Sequence, residues 1–378
     1  MRLLPDSEAA LAQAVADAAA ARAPLLVEGN GTKAAMLRPV QAARTLSTAA
    51  LSGITLYRPQ ELVLAARAGT PVAEIEAALA AKGQHLISEP YDLAPLLGAA
   101  PAPTLGGMVA TNLSGPRRIS WGATRDHVLG VRAVDGAGAI FHAGGRVLKN
   151  VTGLDLCKLL TGSFGTLAVL SEITLKVLPA PEATATVLVE GLDAAAGVAR
   201  LSAALGSPYG VSAAAFLPGR GAVVRLEDVA DSIAYRTPRL AADLGGRVLE
   251  DAESRALWAA IRRLEPLRAA PDDAVWKVSV RPSAGPGVLA AAPRGFLDWG
   301  GGLAWLAGPA TTAQHQAIVA AAQAARGAWQ VVRAPDALRA AVDVIPPEAP
   351  ALAAIGARVK AVMDPHGILN PGRMRAGH

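Results

Sequence analysis

The chain has 378 residues, a net charge of +5, 52% hydrophobic and only 4% aromatic residues, and one cysteine. That length holds two or three domains and a substantial core. The scarcity of aromatics argues against a stacking nucleic-acid surface, and Cys157 alone makes neither a disulfide nor a cysteine metal cluster. In chain order, Ser7 caps a helix to about Ala21 with Leu11 and Val15 on one face, Pro24 closes it, and Leu25–Glu28 is a short strand. The loop Gly29 to Lys33 follows, then a strand near Leu62–Ala66 and a helix through Val72, Ile75 and Leu79 that Gly83 ends. Ser88 to Gly115 is rich in Pro and Gly, and no regular element fits most of it; such a long irregular segment inside a compact domain is usually functional. Val128–Val134 and Ala139–His142, joined by "DGAG", form a hairpin. Lys149 to Pro179 reads as a short helix, a glycine turn and strands.

Pro179-Ala180-Pro181 marks a boundary. Beyond it, strands at Ala185–Glu190, Ala222–Leu226, Val275–Val280, Leu303–Ala307 and Trp329–Arg333 alternate with helices at Asp193–Leu205, Asp228–Leu244, Thr311–Ala325 and Ala349–Met363. Two split β-α-β units give this pattern. No apolar run is long enough to span a bilayer. Asp6 and Glu8 stand where a signal peptide carries basic and then apolar residues, so a cytoplasmic location is expected. The pairs Arg117-Arg118 and Arg262-Arg263 read as a solvated basic surface, or as contacts to an acidic partner or an anionic membrane face.

The stretch "LLVEGNGTKAAM" raises the functional question, because a strand stops on two glycines, a threonine and a lysine. "GNGTKA" fits the loose G-x-G-x-x-G/A pattern, but a Rossmann loop opens a long helix and Pro39 arrives six residues after Lys33. The P-loop pattern is also missing. Two readings remain: a tight turn without ligand, or an anion nest of backbone N–H groups to which Thr32 adds a hydroxyl and Lys33 a cation. "TLGGMVATNLSG" (Thr104 to Gly115) offers a second glycine pair, Gly106-Gly107, with hydrogen-bonding groups on Thr111, Asn112 and Ser114. "GSFGTLAVLSEI" (Gly162 to Ile173) repeats the theme. Three small-residue loops, each beside an apolar strand, favour one long dinucleotide lying across several strand ends.

These motifs together resemble the vanillyl-alcohol oxidase / p-cresol methylhydroxylase family. Gly29–Lys33 matches its R-G-G-G-T-like pyrophosphate loop, "SEPYD" its P-x-D approach to the flavin, and "TLGGMVATNLSG" its T-x-G-G-x-x-A-T-N-x-x-G segment. "GSFGTLAVLSEI" matches G-S-E-G-T-L-G-V-I-T-E, and Asp364–Gly372 the D-P-x-G-I-L-N-P-G ending of the D-2-hydroxy-acid dehydrogenase branch. The resemblance implies an α+β fold: a two-subdomain PCMH-type FAD-binding domain over 1–180, a smaller ferredoxin-like α/β cap over 181–345, and a C-terminal helix and flavin-contacting tail over 346–378. It implies FAD contacts from Gly29, Asn30, Gly31, Thr32, Lys33, Pro90, Thr104, Gly106, Gly107, Ala110, Thr111, Asn112, Gly115, Gly165, Thr166, Val169, Ile173 and Asn370. The pyrophosphate loop lacks the histidine that links flavin covalently in some relatives, so non-covalent FAD is expected.

"GQHLISEP" and "GRVLKNVTGLDLCKLLTGSFGTLAVL" are most similar to the smaller flavin-binding subunits of bacterial glycolate oxidases. That likeness implies oxidation of a small 2-hydroxy acid, glycolate to glyoxylate. It also implies a larger FAD-binding subunit and an iron–sulfur subunit as partners, in the cytoplasm or peripherally on the inner membrane face. The H-x-G-D-G-N-x-H motif of relatives that oxidise 2-hydroxy acids themselves is missing, and no two histidines stand at ligand spacing, so no metal site is expected. Catalytic residues are not named by the sequence. Asn370 faces the isoalloxazine or is a turn residue, His366 is a proton carrier or a surface residue, and Arg281 holds a carboxylate or ends a solvated strand. Lys149 and Asp155 position their loop, Cys157 is a small core residue, and His315 is an exposed helix residue. The alternatives are a non-catalytic assembly subunit on the same fold, a stand-alone FAD-dependent 2-hydroxy-acid dehydrogenase, and a flavin reductase with a nicotinamide donor.

Overall fold

The computed structural model describes residues 1–146 and 153–377; Lys149 lies outside them. The first strands are β1 (Arg2–Leu3), β2 (Leu25–Glu28) and β3 (Arg44–Ser47), a parallel sheet in the order β1-β3-β2. Between β1 and β2 runs the helix Glu8–Ala20, opened by the Ser7 hydroxyl, which accepts the Ala10 N–H at 3.2 Å. Its buried Leu11 and Val15 join Leu25, Leu46, Val134, Ile368 and Leu369 in a small core. That core draws the C-terminal tail onto β2: the Leu25 N–H donates to the Ile368 carbonyl and the Asn370 N–H to the Leu25 carbonyl.

Next come β4 (Ile54–Arg58), β5 (Val63–Arg67), β6 (Gln84–His85), β7 (Val128–Asp135), β8 (Ile140–Gly144), β9 (Ala168–Lys176) and β10 (Leu178–Pro179). A five-stranded antiparallel sheet runs β4-β5-β9-β7-β8, and β6 pairs with β10. The "DGAG" hairpin joins β7 and β8. The segment expected to be irregular contains two short helices, Ala94–Leu97 and Leu105–Ala110. The second is hidden in sequence by its two glycines. It forms because Thr104 caps it, accepting the Gly107 N–H at 3.2 Å, and because Leu105, Met108 and Val109 are buried. Asp155 caps the helix Leu156–Leu160, in which Cys157 is buried.

The remaining strands are β11 (Ala183–Val189), β12 (Val211–Leu217), β13 (Gly221–Asp228), β14 (Arg247–Leu249), β15 (Asp273–Ser279), β16 (Arg294–Asp298), β17 (Leu303–Pro309) and β18 (Ala328–Arg333). They form one eight-stranded antiparallel sheet, β14-β11-β13-β12-β16-β17-β15-β18. Each half runs strand, helix, strand, strand, helix, strand, and the halves join through the single register pair Phe216↔Leu297. Sequence periodicity missed β12, β14, β16 and the helix Asp251–Arg262. The whole of β12 is buried, so "VSAAAFL" has no polar alternation to reveal it. His315, expected to be exposed, is buried and accepts the Trp276 indole N–H at 3.2 Å, because the helix Thr312–Ala324 turns His315, Ile318 and Ala322 onto the sheet.

The basic pairs are also not simply solvated. Arg117 and Arg262 turn into the seam between the two halves of the chain. Arg117 forks onto Glu227 at 2.9 and 2.7 Å, and Arg225 forks onto Glu89 at 2.8 and 2.7 Å. Arg262 reaches Glu76 and the Pro90 carbonyl.

Candidate cofactor site

An open cleft lies between the small parallel sheet and the five-stranded sheet. Its walls are the end of β2, the loop Gly29–Lys33, the helix Leu105–Ala110, the turn around Gly165, the start of β9 and two residues of the tail. Glycine is required at several points. Gly31 has φ +74°, where only glycine is unstrained. A Cβ on Gly29 would lie 2.2 Å from Thr104 Oγ1, and one on Gly165, at φ +68°, would lie 3.0 Å from Asn370 Nδ2. The three glycine motifs therefore pack against one another around the cleft. The Asn30 amide adds a tie, donating to the Ala102 carbonyl at 2.8 Å.

The cleft is electropositive at one end. Lys33 lies where a Gly107 Cβ would be 3.5 Å from its Nζ. Burial pushes its pKa down to about 8, and Asp92 offsets only part of that. Its hydrogen-bond partner among the described residues is Thr32 Oγ1 at 3.5 Å. Arg373 is buried behind the loop, donating to the carbonyls of Lys33 at 2.7 Å and Ala34 at 3.1 Å; burial and the neighbouring Arg339 lower its pKa to about 10. Glu28, whose carboxyl burial pushes up, pairs with Arg2 at 3.2 Å. A half-buried ammonium beside a glycine-rich loop suits a diphosphate, so the residues present fit a dinucleotide.

This arrangement predicts a pH dependence. The Lys33 pKa in the ligand-free fold lies below its unfolded value. Its burial therefore costs stability below about pH 8, and the cost is relieved as pH rises from there towards the unfolded pKa. A bound diphosphate stabilises the ammonium and raises its pKa again. FAD affinity should accordingly fall as pH rises above about 8, by up to roughly tenfold per unit. Lys33→Met should bind FAD more weakly at pH 7 and lose this slope. Fluorescence titration of FAD from pH 7 to 9.5 measures both, and a parental slope in the variant would remove Lys33 from the site.

Of the residues expected at the cofactor, Gly29, Asn30, Gly31, Thr32, Lys33, Thr104, Gly106, Gly107, Ala110, Thr111, Gly165, Val169 and Asn370 line the cleft. Five do not. Ile173 is fully buried at the centre of the sheet, between Ala66 and Val131. Gly115 lets the chain pass Glu89, whose carbonyl would be 1.8 Å from an added Cβ. Asn112 accepts the Arg125 N–H, Thr166 donates to the Ser163 carbonyl, and Pro90 lines a separate cleft shared with Lys33 and Arg262. Asn370 sits in the wall with its amide fully committed. Oδ1 accepts the Val27 N–H at 2.8 Å, and Nδ2 donates to the carbonyls of Val27 and Phe164 at 3.1 and 2.8 Å. It is a clamp between β2 and the Gly165 turn, not a free catalytic group. His366 and Arg281 are exposed and outside the lining. Sequence reasoning missed Glu28, Thr48, Ser163, Phe164 and Arg373 in the lining. Arg373 had a signal, since it stands one residue after the matched "NPG" ending.

Residues 1–144 match the family of FAD binding domains. The fold is similar to that of alkyldihydroxyacetonephosphate synthase, with a TM-score of 0.72 over 98% of this chain and 76% of that one, at 15% identity. Fold and cleft thus define an FAD-binding flavoprotein. The chain is 36% identical to glycolate oxidase subunit GlcE of Escherichia coli (strain K12) over 98% of both chains. It belongs to the GlcE family. A shorter match, 42% identity over 25% of this chain and 20% of the other, joins it to glycolate oxidase subunit GlcD of Bacillus subtilis (strain 168).

Proposed function

We propose that this chain is the smaller FAD-binding subunit of a glycolate oxidase complex, taking part in oxidation of glycolate to glyoxylate and in electron transfer to an iron–sulfur subunit. The observation that carries the reading is the glycine-walled cleft with the half-buried Lys33 ammonium, in a chain that aligns end to end with GlcE. When bound, FAD supplies the acceptor for the hydride equivalent of a CH–OH group. The residues of this chain hold it non-covalently: backbone N–H groups of Asn30 to Lys33 take the diphosphate, and the Asn370 clamp keeps two walls in register. Among the described residues no helix is long and apolar enough to cross a membrane; we place the complex in the cytoplasm or peripherally on the inner membrane face.

The substrate end is less complete. Oxidation needs a base for the alcohol proton and a fixed carboxylate. None of the described histidines lines the cleft: His85 bonds Arg117, His315 bonds Trp276, and His366 is exposed. For the carboxylate the candidates besides Arg281, likewise outside the lining of the cleft, are Lys277 and Arg118. Both flank the Trp299 ring, at 5.3 and 4.3 Å, where that indole donates to the Gly115 carbonyl at 3.0 Å. Burial and Arg118 lower the Lys277 pKa to about 8. The isolated, FAD-loaded chain should therefore be reduced by glycolate or D-lactate at least ~100-fold more slowly than the assembled complex, since positioning and general-base terms of that size are missing. Anaerobic mixing followed by flavin absorbance decides it. Bleaching of the isolated chain at the rate of the complex would show a self-sufficient dehydrogenase, and bleaching only by NAD(P)H a reductase.

A further inference from the structure

The 14-residue helix Pro350–Met363 has no buried residue. Leu352, Ile355, Val359 and Val362 follow a 3-4-3 spacing, which places them on one stripe of the helix. Leu352 is 60%, Ile355 49% and Val362 77% exposed. Helices of folded proteins usually turn such a stripe inwards. Here a different face is held against the body. Lys360 Nζ donates to the carbonyls of Thr166 at 2.6 Å and Leu369 at 3.2 Å and pairs with Asp364 at 2.6 Å. Ahead of the helix, Glu348 pairs with Arg375 at 3.0 Å. The stripe is thus a fixed ridge, and the residues that anchor it adjoin Gly165 and Asn370 of the cleft wall.

The pattern specifies what covers it. With Leu352 and Val359 at a positions and Ile355 and Val362 at d positions, Arg358 falls at g, where coiled-coil helices pair with opposite charge. The helix carries no acidic side chain. The complementary surface is therefore a helix with an apolar stripe and an Asp or Glu opposite Arg358. A second copy of this chain fits poorly. Its own helix brings arginine but no acid to face Arg358. A membrane surface fits poorly as well, because the helix has no aromatic residue and only Arg358 as an outward cation.

We propose that Pro350–Met363 is a docking ridge for an apolar, acid-flanked helix of the larger flavin subunit, as one part of a wider interface; this rests on the subunit reading above. The test co-expresses the tagged chain with the GlcD-type subunit of its own organism and measures capture of that subunit and FAD content. The parent should capture it. A Leu352→Glu/Ile355→Glu variant should lose capture by ~50-fold or more, and Arg358→Glu by roughly fivefold, as for anchor and flanking charges. Both should keep parental FAD content and thermal midpoint, because the altered side chains are exposed. Equal capture by parent and double variant overturns the docking ridge and leaves the subunit reading standing. A parent that captures no GlcD-type subunit overturns both. A concentration-dependent dimer of the parent alone that the double variant abolishes, or parental flotation on phosphatidylglycerol vesicles that it abolishes, overturns the proposal by assigning the ridge to another occupant.

Discussion

Gly31→Val should purify colourless and fail to take up FAD, with affinity reduced by at least ~100-fold, about 3 kcal/mol. Gly31 sits at φ +74°, a region that costs a β-branched residue strain. An added Cβ would also come within 3.1 Å of Glu28 Oε2. Relaxing either conflict turns the loop out of the nest and moves the Lys33 N–H and ammonium away from the diphosphate. The fold should survive, because the loop lies at the cleft and the residues of the adjoining core, such as Leu25 and Leu46, are untouched. Absorbance at the flavin maximum and far-ultraviolet circular dichroism read the two effects separately. Parental FAD affinity in this variant would falsify the assignment of the loop to the diphosphate. Acid precipitation of the parent should also release its flavin into the supernatant, as non-covalent binding requires.

Arg225→Ala should lose about 3–5 kcal/mol of stability, the cost of leaving a buried charge without its partner. Arg225 is buried and Glu89 nearly so, Arg225 also pairs with Glu227 at 3.3 Å and lies over the Trp258 ring at 4.7 Å, and among the described residues Glu89 would keep Arg117 at 3.9 Å. The double change Arg225→Met/Glu89→Met should recover most of the loss, since removing both charges removes the desolvation cost as well. Chemical denaturation of the three proteins measures this; a single-variant loss under about 1 kcal/mol would mean that the seam is held by apolar packing alone. The same cluster sets an acid limit. Burial raises the Glu227 carboxyl, but Arg225 and Arg117 overcome it and hold the pKa at about 2, and Glu89 is likewise held low. Burial and Arg117 lower His85 to about 4. All three folded pKa values lie below their unfolded ones, so the unfolded chain takes up protons first as pH falls. The His85 contribution is lost from about pH 6.5 to 4, and the carboxylate contributions from about pH 4.5 downwards. Thermal midpoints of the parent between pH 7 and 3 should fall accordingly, and less steeply in the double methionine variant.

The three glycine loops were legible in the sequence because their signals are local. A glycine that must take positive φ, a serine that caps a helix, and a "DGAG" turn each act within a few residues, so the string of letters carries them. The motifs they form pointed to one dinucleotide. What the string could not carry is which motif residues face the cleft and which serve packing. Ile173 and Gly115 belong to the same motifs as Gly165 and Gly107, yet one fills the sheet and the other lets Glu89 pass. Asn370 binds backbone groups of Val27, 343 positions away in sequence, and Arg117 left the basic surface for Glu227, 110 positions away. The sheet halves meet at Phe216 and Leu297 through a strand with no alternating pattern. Periodicity tells a strand that it has two faces, or a helix that it has a stripe, but the partner across each face is chosen by burial and charge pairing between distant segments. Those terms exist only once the chain has closed on itself.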